Sequence, residues 1–233
     1  MEHPGAGNPP QGPLLTRLEV LVSLAVDRGG LALDRQGRLV ASEAQLVADA
    51  LGLGDAPEPG SRELAAIELL RSLAQAVGLL RDRGERLEAT TLRFPWRQLA
   101  PDLRAGLVYA AWCNRMPWAH LLGDAADPVA QGLWDARRRV LRLLFDLRGQ
   151  VELADFAALL VDRLGLPDGE PLVRAVAAVF LDPLVALGVA DIDPPPPSAP
   201  RSIRLHIRAW DLIGAALVAT GQELPPREPP REP

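Results

Sequence analysis

The sequence predicts a mainly α-helical protein with short β-hairpins, and three observations support this fold class. Apolar residues recur at helical spacing, as in Leu14, Leu18 and Leu21. Aromatic residues make up only 4% of the chain, so leucine, valine and alanine must fill the core, and leucine and alanine favour helices. Two segments depart from helical spacing, LLRDRGERLEATT and SIRLHIR, and these are typical of strands.

The first half of the chain contains three predicted helices followed by a hairpin. Capping residues and glycines mark the expected helix ends. In order, the predicted elements are a helix from Leu14 to the motif DRGG, an extended stretch with a turn (LALDRQGRLV), a helix opened by Ser42 with Gln45 at capping-box spacing, a helix from Ser61 to Gly78, and a hairpin turning at Arg83-Gly84.

The second half repeats this order after a longer helical region over 97–122, in which Pro117 is expected to kink or end the helix. The predicted elements are a helix that Gly149 closes, a helix over 153–164, a third helix over 171–187 interrupted at Asp182-Pro183, the strands VADID and SIRLHIR, and a last helix over 209–220. Two copies of one element order favour an internal duplication of the fold.

Three helices followed by a two-stranded ribbon is the order of a winged helix, which is a helix-turn-helix with a β-hairpin appended. We therefore predict tandem winged-helix modules between two proline-rich, polar tails that are expected to be disordered. The expected division is a disordered tail (1–13), a first module (14–96), a connecting helix (97–130), a second module (131–220) and a proline-rich disordered tail (221–233).

Several segments resemble a known family. GLLRDRGERLEATTLRFPWRQLAPDLRAGLVYAAW, ARRRVLRLLFDLRGQVELADFAALLVDRLGLP and IRLHIRAWDLIGAAL are similar to the winged-helix helicase-associated domain of bacterial XPB-type helicases. LALDRQGRLVASEAQLVADALGLG is also similar to a plasmid-borne winged-helix family of the ORF-3 type. The resemblance covers roughly 14–219 and implies the fold alone, because no helicase motor follows and Asp34 stands where threonine is common.

The composition disfavours an enzyme, and we expect no catalytic activity, cofactor or small-molecule substrate. All 25 basic residues are arginine, so a Walker-A lysine and a Schiff-base lysine are both excluded. Neither G-x-G-x-x-G after a strand nor G-x-S-x-G occurs. Cys113 is expected to be a buried structural thiol, and His3, His120 and His206 are too scattered around it for a structural zinc site.

The same features bear on compartment and partners. A single cysteine excludes an intrachain disulfide, and no apolar run is long enough for a membrane span or a signal peptide. We therefore expect a cytoplasmic protein with no membrane contact. The formal charge of −5 and pI of about 5.3 argue mildly against nucleic acid, although a local arginine patch would suffice.

Double-stranded DNA is the expected partner, bound by a non-enzymatic accessory or regulatory protein. The predicted third helices carry few unopposed cations, so the contacts are expected elsewhere. The candidates are Arg81, Arg83 and Arg86 in the first hairpin, Arg137, Arg138, Arg139 and Arg142 on one helix, and Arg201, Arg204, His206 and Arg208 in the second hairpin. Strand alternation places Arg204, His206 and Arg208 on one exposed face, and Ile203, Leu205 and Ile207 on the buried face. Solvated surfaces balanced by Asp and Glu would explain the same residues.

The alternative is a protein-interaction adaptor that docks a partner or a second copy of itself on its winged helices. The segment AVAAVFLDPLVAL, residues 175–187, is more apolar than one buried face requires, although a core helix would also explain it. The tryptophans are expected to anchor the core, and Trp118, beside Pro117, is the candidate for exposure.

Overall fold

The structure is a computed structural model that describes residues 12–54, 58, 60–118, 122, 128–147, 149–193 and 201–221. The elements of the first half are α1 (Pro13–Asp27), β1 (Leu31–Ala32), α2 (Ala41–Leu51), α3 (Arg62–Val77), β2 (Leu80–Arg83), β3 (Arg86–Ala89), α4 (Arg93–Gln98) and α5 (Pro101–Asn114). Those of the second half are α6 (Pro128–Asp146), β4 (Gln150–Glu152), α7 (Leu153–Leu164), α8 (Glu170–Val176), a π-helical turn (Ala177–Leu181), α9 (Asp182–Ala186), β5 (Ala190–Asp193), β6 (Ser202–Leu205) and α10 (Ile207–Ala219). This confirms a mainly α fold with short β-hairpins.

Each half contains one small antiparallel sheet, and the two sheets share a strand order. The orders are β1-β3-β2 and β4-β6-β5, so the last strand of each half lies in the middle. Leu31 pairs with Leu87 in the first sheet, and Val151 pairs with Ile203 in the second, and all four are buried. The strands β1 and β4 are too short for sequence alternation to mark them clearly, yet each completes a three-stranded sheet.

Helix α3 begins and ends where the sequence predicts, but helix α2 does not begin at its expected cap. The Ser61 hydroxyl oxygen accepts a hydrogen bond from the Leu64 backbone N–H at 3.1 Å, and Gly78 ends α3. Helix α2 starts at Ala41, so Ser42 lies inside the first turn and caps nothing. The predicted capping box at Ser42 is therefore wrong.

Helix α5 lies at the centre of the fold, and α10 packs against it along much of its length. Six consecutive residues of α5, 108–113, are buried. Close approach is possible because Gly106 faces Ala215, and the Asn114 amide donates to the Ala216 carbonyl at 3.2 Å. One continuous apolar core therefore includes residues from both halves of the chain.

The third helix of the second half is continuous but widens ahead of Pro183. A proline in a helix removes one N–H donor and clashes with the carbonyl four residues earlier. The chain accommodates this with the π-helical turn, in which the Asp182 N–H donates to the Ala177 carbonyl. The interruption expected at Asp182-Pro183 is thus a widened turn within a helix that is mostly buried.

Two residues expected at the surface are packed. Trp118 is only 4% exposed, and its ring meets those of Trp134 and Phe180 edge to face, with centroids 4.9 and 5.5 Å apart. Its expected exposure is therefore wrong. Gly12, expected in the disordered tail, is buried so closely that a Cβ would lie 2.2 Å from the Leu187 carbonyl carbon. Pro13, also expected in that tail, is the first residue of α1, and Gly221 of the second predicted tail lies in a turn. Residues 1–11 and 222–233 lie outside the described residues.

Candidate nucleic-acid interface

The first hairpin presents arginine side chains on one face. Its strands β2 and β3 join through a two-residue turn that starts at Gly84, whose φ of +60° favours glycine. The register pairs Arg81 with Glu88 and Arg83 with Arg86, so these four side chains share a face. The Arg83 side chain is 70% exposed, and its Nη1 atom lies 3.5 Å from a carboxylate oxygen of Glu88. The Arg81 side chain is exposed and forms no ion pair or hydrogen bond among the described residues.

Arg86 belongs to this face, but its guanidinium is committed to the backbone. Its Nη2 atom donates to the Gly30 carbonyl at 2.8 Å and to the Arg28 carbonyl at 3.2 Å. These carbonyls lie in the turn between α1 and β1. Arg86 therefore ties the hairpin to the end of α1, and we assign it a positioning role within the predicted contact group.

A further exposed arginine, Arg35, lies on a turn that adjoins the hairpin tip, and it was not among the predicted contact residues. The Leu33 N–H donates to the Glu85 carbonyl at 2.8 Å, which joins the two turns. Asp34 stabilises the turn that carries Arg35. Its carboxylate accepts a hydrogen bond from the Arg38 backbone N–H, which lowers the pKa of Asp34. The extended pattern of LALDRQGRLV was the available signal, because an extended segment can pair with the hairpin.

Two cations of the second hairpin region lie close to aspartates. Arg201 forms an ion pair with Asp182 at 2.6 Å, and His206 Nε2 lies 2.7 Å from the Asp191 carboxylate. Arg204 is exposed on β6, and Asp191 is its direct cross-strand neighbour. The predicted cations are present in this hairpin, but nearby aspartates offset much of their charge.

The strand in this hairpin is shorter than its alternation suggests. Strand β6 ends at Leu205, and Ile207 begins helix α10 with 82% of its surface exposed. Arg208 therefore lies on a helix, where it forms an ion pair with Asp102 of α5. The predicted common faces for Arg204, His206 and Arg208, and for Ile203, Leu205 and Ile207, are wrong beyond Leu205, because a helix replaces the strand there.

The arginine group on α6 divides into two kinds of side chain. Arg137 is half-buried, its guanidinium lies 4.3 Å from the Trp134 ring centroid, and it donates to the Trp134 carbonyl at 2.7 Å. Arg142 forms an ion pair one turn along the helix. The side chains of Arg138 and Arg139 are exposed and form no ion pair or hydrogen bond in the described part of the chain. These two are the cations of α6 that an outside anion can reach without displacing a protein partner.

Each third helix exposes a single arginine, Arg62 on α3 and Arg174 on α8. In α3 only Arg62 and Ala65 are exposed, and Arg71 is drawn into a 2.8 Å hydrogen bond with Glu68. The apolar segment 175–187 is mostly buried, so its composition reflects the core and not an open docking face. The expectation that other elements supply any nucleic-acid contacts stays a prediction.

The one cysteine lies in the core. Cys113 is fully buried, and burial raises the pKa of its thiol to about 12. Burial also raises the pKa of Tyr109, one turn earlier on α5, well above its ordinary value. The expected burial of Cys113 is confirmed, and His3 and His120 lie outside the described residues.

Among the described residues, no group of three or more His, Cys, Asp and Glu side chains is arranged to hold a metal ion. None of the helices described there is both long and apolar enough to cross a bilayer. No family model, curated protein or solved structure matches the sequence. The resemblance to helicase-associated winged helices therefore stays a prediction.

One more cationic cluster is formed by residues distant in sequence. Arg93 and Arg97 of α4 meet Arg104 of α5 around a cavity beside α1. The spacing of these residues carries no local signal, because the cluster depends on how three helices pack.

Proposed function

We propose that this protein is a non-enzymatic accessory or regulatory protein that binds double-stranded DNA through two winged-helix modules. The repeated order of helix, strand, helix, helix, strand, strand, with the same strand order in both sheets, supports the fold assignment. The main contacts come from the first hairpin and are made to the phosphate backbone. Binding is therefore largely independent of base sequence.

The observation that carries this proposal is the pair Arg81 and Arg83 on the exposed face of the first hairpin. The Arg81 side chain forms no ion pair within the described chain, although Glu88 is its cross-strand neighbour, and the pair between Arg83 and Glu88 is solvent-exposed and weak. A DNA phosphate can therefore bind both guanidinium groups at little cost. In the second hairpin, a phosphate must compete with Asp182 and Asp191 for the cations.

The exposed pair Arg138 and Arg139 on α6 supplies a second set of contacts. Each contact releases counterions from the duplex, which offsets the repulsion expected from the overall negative charge of the protein. Helix α3 exposes a single arginine, Arg62, and the segment 175–187 is mostly buried, so neither is proposed as the main contact surface. The resulting affinity is modest, sensitive to salt and similar for unrelated duplexes.

The test is fluorescence anisotropy with two unrelated duplexes of equal length at low salt. The wild type is expected to bind both with similar affinity, and Arg81→Gln/Arg83→Gln to bind both about tenfold more weakly. The matched variant Arg201→Gln/Arg208→Gln also loses two charges but is expected to change affinity less. An absence of wild-type binding at low salt contradicts DNA binding, and equal losses in the two variants contradict the preference for the first hairpin.

A protein partner or self-association is the second candidate, and exposed apolar side chains favour it. Leu103 and Leu107 are exposed one turn apart on α5, and Ile207 is exposed at the start of α10. The ion pair between Asp102 and Arg208 brings these two helix starts together. Such exposed groups are typical of interaction surfaces when they are contiguous.

This candidate is tested by sedimentation velocity over a range of protein concentrations. Self-association that Leu107→Ser or Ile207→Ser abolishes supports an interface at these helix starts. A monomer at every concentration argues against self-association. Val218→Ser, a change at an exposed apolar residue late in α10, is the matched control.

A further inference from the structure

A cavity of about 100 Å³ lies where α1, α4 and α5 meet. Helix α4 is short and follows β3 after three residues, and its arginines line the cavity together with residues of α1 and α5. The polar residues that line the cavity are Glu19, Ser23, Arg93, Trp96, Arg97 and Arg104. The cavity is separate from the hairpin face that carries Arg81 and Arg83.

The charge around this cavity is positive. Three guanidinium groups face one carboxylate, and that carboxylate, Glu19, is already ion-paired with Arg104. The Arg93 guanidinium lies over the ring of Phe94, 4.7 Å from its centroid, and no carboxylate among the described residues pairs with it. Arg97 is exposed at the rim and has no carboxylate partner in the described part of the chain.

Two buried N–H groups in this lining also lack partners. Trp96 is 6% exposed, and its indole Nε1 atom has no hydrogen-bond acceptor among the described residues. The Nε atom of Arg104 is buried and unpartnered in the same way. Buried donors nearly always find an acceptor, and leaving one unpaired costs about 1–3 kcal/mol. A negatively charged, acceptor-rich ligand in the cavity would offset the excess positive charge beside these two donors.

We propose that this cavity is a binding site for a phosphate group. A phosphate has four acceptor oxygens and negative charge, and guanidinium groups bind it through paired hydrogen bonds. The cavity has room for a tetrahedral ion, since a single water occupies about 30 Å³ of the liquid. Glu19 holds Arg104 in place and weakens binding by repulsion, so a micromolar to millimolar affinity is expected.

The phosphate can come from free inorganic phosphate or from the backbone of DNA, and the experiment separates these sources. Isothermal titration with sodium phosphate, against sodium chloride at equal ionic strength, measures the free ion. The wild type is expected to bind one phosphate per chain, with Arg97→Gln about tenfold weaker because a charged contact is lost. Arg62→Gln, which removes an exposed arginine outside the cavity, is expected to match the wild type.

Trp96→Phe supplies an independent readout, because it removes the unpaired N–H while keeping an aromatic ring. Circular dichroism checks its folding, and Arg97→Gln, at the exposed rim, does not depend on that check. Phosphate binding that weakens in Arg97→Gln while DNA affinity stays unchanged assigns the site to the free ion. A parallel loss of DNA affinity assigns it to a backbone phosphate.

The inference is overturned if the wild type binds no phosphate and Arg97→Gln leaves DNA affinity unchanged. It is also overturned if all variants bind phosphate equally, since binding would then be unrelated to the cavity. Because free phosphate can bind in a protein that ignores DNA, failure of the proposed DNA function leaves this test intact.

Discussion

The Tyr109 hydroxyl donates a hydrogen bond to the carbonyl oxygen of Phe180 across 2.9 Å. Both residues are fully buried, and the bond joins α5 to the π-helical turn of the second half. It therefore connects elements that are 71 residues apart in sequence. The bond is a specific polar contact in a core that is otherwise mostly apolar.

Loss of this bond is expected to lower the free energy of unfolding. Tyr109→Phe keeps the ring but leaves the Phe180 carbonyl without this donor, which costs about 1–3 kcal/mol. Urea unfolding followed by circular dichroism measures the change. A variant as stable as the wild type would show that another donor, or water, satisfies the carbonyl.

The thiol of Cys113 is expected to make stability fall at alkaline pH. Its pKa is raised to about 12 in the folded protein, from an ordinary value of 9.0, because it is buried. Above pH 9 the unfolded chain releases this proton first, so the free energy of unfolding decreases by up to about 1.4 kcal/mol per pH unit until the folded pKa is reached. The raised pKa of Tyr109 acts in the same direction.

Urea unfolding at several pH values between 8 and about 10.5 tests this linkage in the wild type and in Cys113→Ala. The variant lacks one of the two shifted groups, so its stability should depend less steeply on pH. Identical slopes in the two proteins would show that the thiol ionises as readily when folded as when unfolded.

Gly12 is expected to tolerate no side chain. A Cβ there would lie 2.2 Å from the backbone of Leu187, and backbone cannot move aside as a flexible side chain can. Gly12→Ala should therefore lower the free energy of unfolding by about 1–3 kcal/mol. Thermal unfolding of this variant, beside a chain that lacks residues 1–11, provides the measurement and its control.

The composition of residues 1–11 predicts that their removal leaves the melting temperature nearly unchanged. A large loss on trimming would mean that this segment packs on the folded body. No loss in Gly12→Ala would mean that the contact between Gly12 and Leu187 is looser than the structure places it.

Helix positions were predictable because apolar spacing and glycine signals act locally, as at Ser61 and Gly78. The strand end at Leu205 was not, since apolar alternation continues to Ile207 and only the pairing with β5 shows where the strand stops. Several exposed arginines, such as Arg81 and Arg138, could be chosen from sequence. Their partners could not, because Asp102 lies 106 residues before Arg208, and only tertiary packing brings the two together.

The salt dependence of DNA affinity tests the central claim most directly. Each phosphate contact contributes about 0.9 to the slope of log affinity against log salt concentration. Arg81→Gln/Arg83→Gln is therefore expected to reduce the magnitude of the slope by about one to two units relative to the wild type. The control Arg62→Gln/Arg163→Gln, which removes two exposed arginines from other elements, should leave it unchanged. Detectable binding with the same slope in all three proteins would contradict backbone contacts from the first hairpin.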